Sequence, residues 1–266
     1  MTAPPPRTAS GVRHLLLAVQ FYTRIPVTGR LADWVGFSPA MLASAAAHFP
    51  AAGWLVGGFA AAVLTGAGEL WPPAVAAVLA TAAGLWLTGA FHEDGLADTA
   101  DGLGGTVGAQ RSLEIMRDSR IGTYGAAALT LALLLKTTLL SNLLDHGAGT
   151  AAAVVVVAHV VSRFAVLLAR LGLPYVGGTD GKAKPMAGVS SPGGYLVATA
   201  WALPAAGVAA LALQAGSLWL LLGAALPAAY LRQMLRRRLG GVTGDGLGAT
   251  QQVAELGIYL AAVATL

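Results

Sequence analysis

Long stretches without a charged residue determine the environment in which this chain can fold. Of its 266 residues, 56% are hydrophobic and 11% are charged, against roughly 25% charged residues in a soluble domain. A membrane-spanning helix needs about 20 mostly apolar residues. Runs of that kind lie near 40–66, 70–92, 121–145, 148–169, 193–213, 215–231 and 248–266. The sequence therefore predicts an all-α polytopic membrane bundle of about seven transmembrane helices, one domain over residues 1–266.

Lys and Arg predict which side of the membrane each loop faces, because they accumulate in cytoplasmic loops. They occur before the first run and after the second, fourth and sixth runs, whereas the short loops after the first, third and fifth runs contain none. This alternation predicts a cytoplasmic N-terminus. The predicted cytoplasmic or interfacial segments are 1–39, an acidic active-site loop at 92–120, and loops at 170–192 and 232–250. The basic residues form no single stripe, so no nucleic-acid partner is predicted.

The segment 1–39 does not resemble a cleaved signal peptide. Its apolar stretch, within 11–27, is short and ends in Arg24 and Pro26 without a small-residue cleavage site. We interpret residues 11–27 as an interfacial or partly inserted helix. The chain has no cysteine, so neither a disulfide framework nor a cysteine metal site is expected.

An acidic cluster, FHEDGLADTADGLGG at 91–105, follows the second run directly. Six of the twelve acids in the chain lie between 93 and 118. In a helix, Asp94, Asp98 and Asp101 would share one face at i, i+4 and i+7, where like charges repel. Mg²⁺ is usually held by one or two carboxylates together with substrate phosphates. The spacing therefore favours a Mg²⁺ site over the alternative of a solvated acidic loop, with Glu93 as a further candidate ligand.

Arginines follow the acids in RDSRIGTYG, where Asp118 and Ser119 separate Arg117 from Arg120. Guanidinium groups bind phosphate oxygens in a forked geometry. Carboxylates for a metal beside arginines for phosphate predict a site for phosphoryl or phosphodiester transfer, with Asp118 orienting one arginine.

A second polar segment, GGVTGDGLGATQQVAE, precedes and enters the last run. Asp245 lies in a glycine-rich turn, Gln251 and Gln252 open the run, and Glu255 lies about one turn inside it. An acid inside a membrane is costly and counts as a functional-site hypothesis. The alternative is a helix-capping turn with a buried, hydrogen-bonded Glu255.

Other polar residues near the cytoplasmic side have two interpretations each. Lys182 and Lys184 lie in a loop that could close on a phosphate or could only determine topology. Arg163, near the end of the fourth run, either extends to the lipid headgroups or contacts phosphate. His92 adjoins the acidic cluster, but the histidines show no ligand spacing, so no zinc site is predicted. No role is predicted for Lys136, in the middle of the third run.

Four motifs, FYTRIPV, FHEDGLADTADGLGG, IMRDSRIGTYG and GGVTGDGLGATQQVAE, occur in this order and resemble those of the cobalamin synthase family, the adenosylcobinamide-GDP ribazoletransferases. The resemblance covers essentially the whole chain. It implies a Mg²⁺-dependent enzyme of the bacterial cytoplasmic (inner) membrane, active on the cytoplasmic side. Such an enzyme joins adenosylcobinamide-GDP to α-ribazole or its 5′-phosphate, releases GMP, and completes cobalamin assembly. It belongs to the class that transfers substituted phosphate groups.

Combining resemblance and charge pattern, we predict roles for individual residues. Catalysis is predicted for Asp94, Asp98, Asp101 and Asp245, with Asp98 and Asp245 both open as the general base. Metal binding is predicted for Glu93, Asp94, Asp98 and Asp101. Substrate binding is predicted for Arg24, His92, Arg117, Asp118, Arg120, Arg163, Lys182, Lys184, Gln251 and Glu255. Predicted partners are the two substrates and the lipid bilayer, while a homo-oligomer and contacts with other cobalamin nucleotide-loop enzymes stay open.

Two other functions fit the sequence less well. Another Mg²⁺-dependent membrane alcohol or prenyl phosphotransferase would use similar carboxylates, but Asp98 stands where the CDP-alcohol enzymes carry Arg. A transporter would place its charges near the bilayer midplane, often with an internal repeat. Most charges here lie in loops on one face, and no repeat is apparent.

Overall fold

The computed structural model describes residues 11–178 and 191–266, apart from the side chain of Ala215, and its regular structure is helical. The helices, in chain order, are α1 Gly11–Tyr22, α2 Gly29–Val35, α3 Pro39–Ala45, α4 Phe49–Gly68, α5 Pro73–Thr88, α6 Phe91–Gly104, α7 Ala109–Met116, α8 Thr123–Asp145, α9 Ala148–Ala169, α10 Pro192–Leu213, α11 Ser217–Leu239 and α12 Gly244–Thr265. Short 3₁₀ turns, Ala46–His48 and Gln214–Gly216, lead from α3 into α4 and from α10 into α11.

Five helices in the described ranges are long and apolar enough to cross a membrane: Pro39–Gly68, Thr123–Asp145, Ala148–Ala169, Pro192–Leu213 and Ser217–Leu239. The helices α5 and α6 meet the test only as a pair, bent by 90°. The predicted polytopic helical fold is therefore confirmed. The structure has five candidate spans, or six if the bent pair is one span, whereas the sequence predicts about seven.

The last predicted span, 248–266, lies in α12, which is not among these candidates. Its polar residues Gln251, Gln252 and Glu255 are buried inside the protein, at 0–3% exposure. Because α12 packs mainly against α11, α6 and α9, much of its surface faces neighbouring helices. Its lower hydropathy reflects contact with protein.

The second predicted run, 70–92, does not continue as one helix. It breaks at Gly89 and Ala90, which both adopt left-handed backbone angles, with φ of 71° and 58°. This conformation is unfavourable for a residue with a Cβ atom, such as Ala90. A tertiary contact lies at the break, where the Arg24 amide donates a hydrogen bond to the carbonyl oxygen of Leu87 at 2.7 Å.

The loops are shorter in the structure than the sequence predicts. The segment 92–120 contains the helices α6 and α7, so most of the acidic active-site loop is helical. In the segment 232–250, α11 continues to Leu239 and α12 begins at Gly244, which leaves four connecting residues. Of the segment 170–192, only 170–178 and 191–192 are described. Here Val176 and Val242 form a backbone hydrogen bond of 2.8 Å, so the connection after α9 lies beside the start of α12.

Small residues allow the central helices to approach closely. A Cβ atom on Gly53 of α4 would lie 2.5 Å from the carbonyl oxygen of His159 in α9. Gly223 of α11 and Gly257 of α12 touch in the same way, backbone to backbone. Such contacts are typical of helices packed within a membrane, and they place α9 and α12 at the centre of the bundle.

Candidate active site

The candidate site lies where α6 crosses the first turns of α12. Gly95 of α6 contacts the backbone of Asp245, and a Cβ atom on Gly248 would lie 3.4 Å from the Cα of His92. At Gly95 a Cβ atom would lie 2.8 Å from the carbonyl oxygen of Asp245, so only glycine allows the two backbones to come this close there. The crossing brings Asp94, Asp98 and Asp101 of α6 near Asp245 of α12, although about 150 residues separate them in the sequence.

The carboxylates of this crossing interact through their charges. Partial burial raises the pKa of Asp98 to about 7, and the nearby carboxylates of Asp94, Asp245 and Asp101 add to the rise. Burial also raises the pKa of Asp245, to about 6, with a further rise from Asp94 and opposing contributions from its own backbone N–H and from Arg117. Among the described residues, no salt bridge within 4.0 Å joins Asp94, Asp98, Asp101 or Asp245 to a cation. The site therefore concentrates negative charge.

Asp101 has a structural role at the edge of this cluster. Its two carboxylate oxygens accept hydrogen bonds from the backbone N–H groups of Gly122, at 2.7 Å, and Gly125, at 2.8 Å. These N–H groups belong to the unpaired donors at the start of α8. Asp101 thus caps α8 and ties it to α6.

Glu93 is turned away from the other acids of α6. Its Oε1 accepts a hydrogen bond from Gln252 Nε2 at 3.0 Å and lies 3.8 Å from Lys136 Nζ. The side chain is buried in the helix bundle, at 9% exposure. Its predicted role as a metal ligand stays a prediction, and in this structure Glu93 contacts the residues behind the cluster.

The carboxylates of Asp94, Asp98 and Asp245 supply oxygen ligands, which are the kind that Mg²⁺ prefers. In the described part of the chain, no three His, Cys, Asp or Glu residues are arranged to enclose a metal ion. Mg²⁺ is usually bound by one or two carboxylates and keeps its other positions for water or phosphate oxygens. A pair of unneutralised carboxylates such as Asp94 and Asp98 fits that mode of binding, and Asp245 lies beside them.

The predicted phosphate-binding arginines lie in the connection between α7 and α8. Arg120 binds both oxygens of Asp118, its Nε at 2.9 Å from Oδ1 and its Nη2 at 2.5 Å from Oδ2. The Arg120 hydrogen bonds lower the pKa of Asp118 to about 2, and both side chains are exposed at 37% or more. Asp118 orients Arg120 here as the sequence predicts. Arg117 donates to the carbonyl oxygen of Gly177 at 3.4 Å and lies close enough to Asp245 to influence its pKa.

The structure places Arg163 deep in the bundle. It is 1% exposed, it donates to the carbonyl oxygen of His159 at 2.8 Å, and its guanidinium lies 5.5 Å from the centre of the Phe49 ring. The idea that Arg163 extends to the lipid headgroups is therefore wrong, since that would expose the charged group. His92 is also buried and stacks on Phe49, with ring centres 5.7 Å apart.

Arg24 contacts the bend between α5 and α6. A Cβ atom on Gly89 would lie 2.8 Å from Arg24 Nε. The side chain is exposed to solvent, so it is accessible to a ligand. Lys182 and Lys184 lie outside the described residues.

A buried polar network extends behind the carboxylates, and the sequence analysis missed most of it. Glu255 binds Lys136 Nζ at 2.9 Å, Gln251 Nε2 at 2.6 Å and the Tyr259 hydroxyl at 3.2 Å, and it lies 3.5 Å from His159 Nδ1. This arrangement supports the alternative of a buried, hydrogen-bonded Glu255. It also explains Lys136, whose charge within an apolar helix is compensated by acids on other helices. The signals in the sequence were the charged residues within apolar runs, namely Lys136, Arg163 and Glu255.

Comparison with known proteins identifies the family. Residues 14–263 match the family model described as cobalamin-5-phosphate synthase. A protein of Polaromonas naphthalenivorans named adenosylcobinamide-GDP ribazoletransferase is 48% identical, with 96% of this chain and 99% of the relative covered. Relatives with the same name from Vibrio cholerae and Shewanella woodyi are 41% and 40% identical, covering 94% and 92% of this chain and 93% of each relative. No solved structure matches. The chain therefore belongs to the cobalamin-5-phosphate synthase family.

Proposed function

We propose that this chain is an adenosylcobinamide-GDP ribazoletransferase, which joins adenosylcobinamide-GDP to α-ribazole or its 5′-phosphate and releases GMP. The product would be adenosylcobalamin or its 5′-phosphate. The observation that carries the proposal is the group of carboxylates at the α6–α12 crossing, which have no cationic partner within 4.0 Å in residues 11–178 and 191–266. It lies in a chain whose relatives of nearly equal length are named for this activity.

The reaction is a displacement at phosphorus. The ribose 3′-hydroxyl of α-ribazole attacks the phosphorus attached to the aminopropanol arm of cobinamide, and the bond from that phosphorus to the GMP phosphate breaks. The hydroxyl proton passes to a carboxylate. Asp98 and Asp245 both stay open as the acceptor, because burial raises the pKa of each carboxyl group, to about 7 and about 6; the one that does not bind Mg²⁺ would take the proton.

Three carboxylates are available to hold Mg²⁺ at this site: Asp94, Asp98 and Asp245. Bound there, the ion would neutralise the charge that develops on the leaving phosphate. Asp101 would act indirectly, since its oxygens bind the start of α8. Glu93 would hold α6 in place through its contacts with Gln252 and Lys136.

Arg117 and Arg120 would bind phosphate oxygens of the substrates. Each lies on the connection between α7 and α8, and Arg117 is close to Asp245. Exposure of Arg120 makes it available to a ligand that displaces Asp118. The alternation of basic loops supports a location in the cytoplasmic membrane with this site on the cytoplasmic side.

The test is a transfer assay on detergent-purified protein with adenosylcobinamide-GDP and α-ribazole. GMP and cobalamin are followed together, with Mg²⁺ and with EDTA. We expect both products in equal amounts, only with Mg²⁺, and their loss in Asp98→Asn. The matched control is Glu114→Gln, because Glu114 is an exposed acid of the neighbouring helix whose partner is Arg111. Absence of product from folded, Mg²⁺-supplied protein would contradict the proposal and favour a membrane alcohol phosphotransferase.

A further inference from the structure

The buried network connects the helix that carries the carboxylates to the rest of the bundle. Lys136 of α8 lies between two acids, 2.9 Å from Glu255 Oε1 on α12 and 3.8 Å from Glu93 Oε1 on α6. Lys136 also donates to Gln252 Oε1 at 3.3 Å. All four side chains are at least nine-tenths buried, so bulk water is excluded from these contacts.

Glu93 depends on this network for its polar contacts. Its Oε1 lies against Gln252 and Lys136, whereas its Oε2 has no hydrogen-bond partner among the described residues. Glu93 lines a cavity of about 20 Å³, which has room for about one water molecule. The side-chain contacts that hold Glu93 are thus those from Gln252 and Lys136.

Apart from the ring contacts of His92 with Phe49 and of Phe91 with Phe21, the first turn of α6 has few other restraints on its rotation. No side chain caps its N-terminus, and the preceding residues form the left-handed bend. At the crossing with α12, Gly95 and Gly248 have no side chains that could interlock. Glu93 directly precedes Asp94, so the direction in which Glu93 is held also fixes the direction of the Asp94 and Asp98 carboxylates.

We infer that Lys136 and Gln252 are positioning residues for the site. By holding Glu93 behind α6, and together with the stacking of His92 on Phe49, they fix the first turn of the helix at the rotation at which Asp94 and Asp98 face Asp245. The inference deepens the proposed function and rests on it for its activity measurement, whereas its structural measurement does not depend on that function.

Gln252→Leu is the most direct variant, because it removes the hydrogen bond to Glu93, together with those to Lys136 and Gln251, with little change in volume. Tyr259→Phe is the matched control, since it removes one hydrogen bond from Glu255 in the same network and leaves Glu93 with its partners. Removal of one member of a buried ion pair leaves an uncompensated charge. Lys136 is therefore tested in the double variant Lys136→Met/Glu255→Gln, in which one positive and one negative charge are lost together.

The first measurement is hydrogen–deuterium exchange in metal-free protein, without substrates. In Gln252→Leu and in the double variant, we expect exchange of the amides in 93–104 to become about tenfold faster or more, with the other core helices unchanged. Tyr259→Phe should leave this segment as in the wild type. Unchanged exchange in 93–104, or a uniform increase over the whole chain, would overturn the inference.

The second measurement is the Mg²⁺ concentration for half-maximal GMP release. It should rise about tenfold or more in Gln252→Leu and stay constant in Tyr259→Phe. A fall in kcat at an unchanged Mg²⁺ midpoint would contradict the inference. If wild-type protein releases no GMP, the proposed function fails, while the exchange experiment still decides whether the network holds α6.

Discussion

A Cβ atom on Gly95 would lie 2.8 Å from the carbonyl oxygen of Asp245, so these two residues mark the point where α6 and α12 touch. We expect Gly95→Ala to separate the helices and move the α6 carboxylates away from Asp245. Overpacking of this kind lowers stability by about 1–3 kcal/mol, and turnover should fall more than this loss of folded protein explains. Thermal unfolding and kcat of the folded fraction measure the two effects. Gly105→Ala is the control, because its Cβ atom would meet nothing within 4 Å.

Asp101 should differ from the other acids of its helix when it is replaced by Asn. An amide side chain has one acceptor oxygen, so Asp101→Asn loses one of the two hydrogen bonds to the start of α8. We expect a loss of about 1–3 kcal/mol in the free energy of unfolding together with lost activity. Asp94→Asn should lose activity without this destabilisation. Equal stability of the two variants in a denaturation experiment would contradict the capping role of Asp101.

The charge of Asp98 predicts a pH-dependent stability in metal-free protein. Folding raises its pKa from 3.8 to about 7, so the folded state binds the proton more tightly than the unfolded state. Asp98 therefore stabilises the fold below about pH 4, and that contribution is lost as the pH rises to about 7. Asp98→Asn should raise Tm at pH 8, with a difference that shrinks as the pH falls toward 5. A difference independent of pH would show that Asp98 is not protonated in this range.

Arg120 and Arg111 form a matched pair for testing phosphate binding. Both are exposed and each binds a nearby acid, Asp118 and Glu114, and such surface ion pairs contribute little to stability. We expect Arg120→Ala to lower kcat/KM for adenosylcobinamide-GDP about tenfold or more through loss of a charged phosphate contact. Arg111→Ala should leave it unchanged, and Tm should stay constant in both. An equal loss in the two variants would indicate a general effect of surface charge.

The sequence predicted those parts of the site that depend on local spacing. Asp94, Asp98 and Asp101 lie on α6 at the predicted intervals because that interval is a property of the helix itself. The role of Asp101 could not be predicted in this way. Its partners are the backbone N–H groups of Gly122 and Gly125, more than 20 residues away. Every residue except proline has such a group, so the residue type does not indicate the contact.

The contacts of Lys136 could not be predicted from the sequence either. Lys136 lies 116 residues from Gln252, and no periodicity relates the two positions. Hydropathy averages over a helix and does not distinguish a side that faces lipid from one that faces protein. For the same reason, it indicated a span over 248–266 and gave no sign of the bend at Gly89 and Ala90, both of which are apolar. Charged loops in the sequence disfavour a transporter, whereas in the structure Lys136, Arg163 and Glu255 are charged residues buried within the bundle.

The bend after Thr88 also affects the surrounding bilayer. With 16 residues, α5 is about 24 Å long, shorter than the roughly 30 Å of hydrocarbon in a typical membrane. We therefore expect lipids beside α5 to compress or tilt their acyl chains to match it. A headgroup layer that dips toward α6 would make acyl-chain length a variable that sets how deeply α6 is immersed.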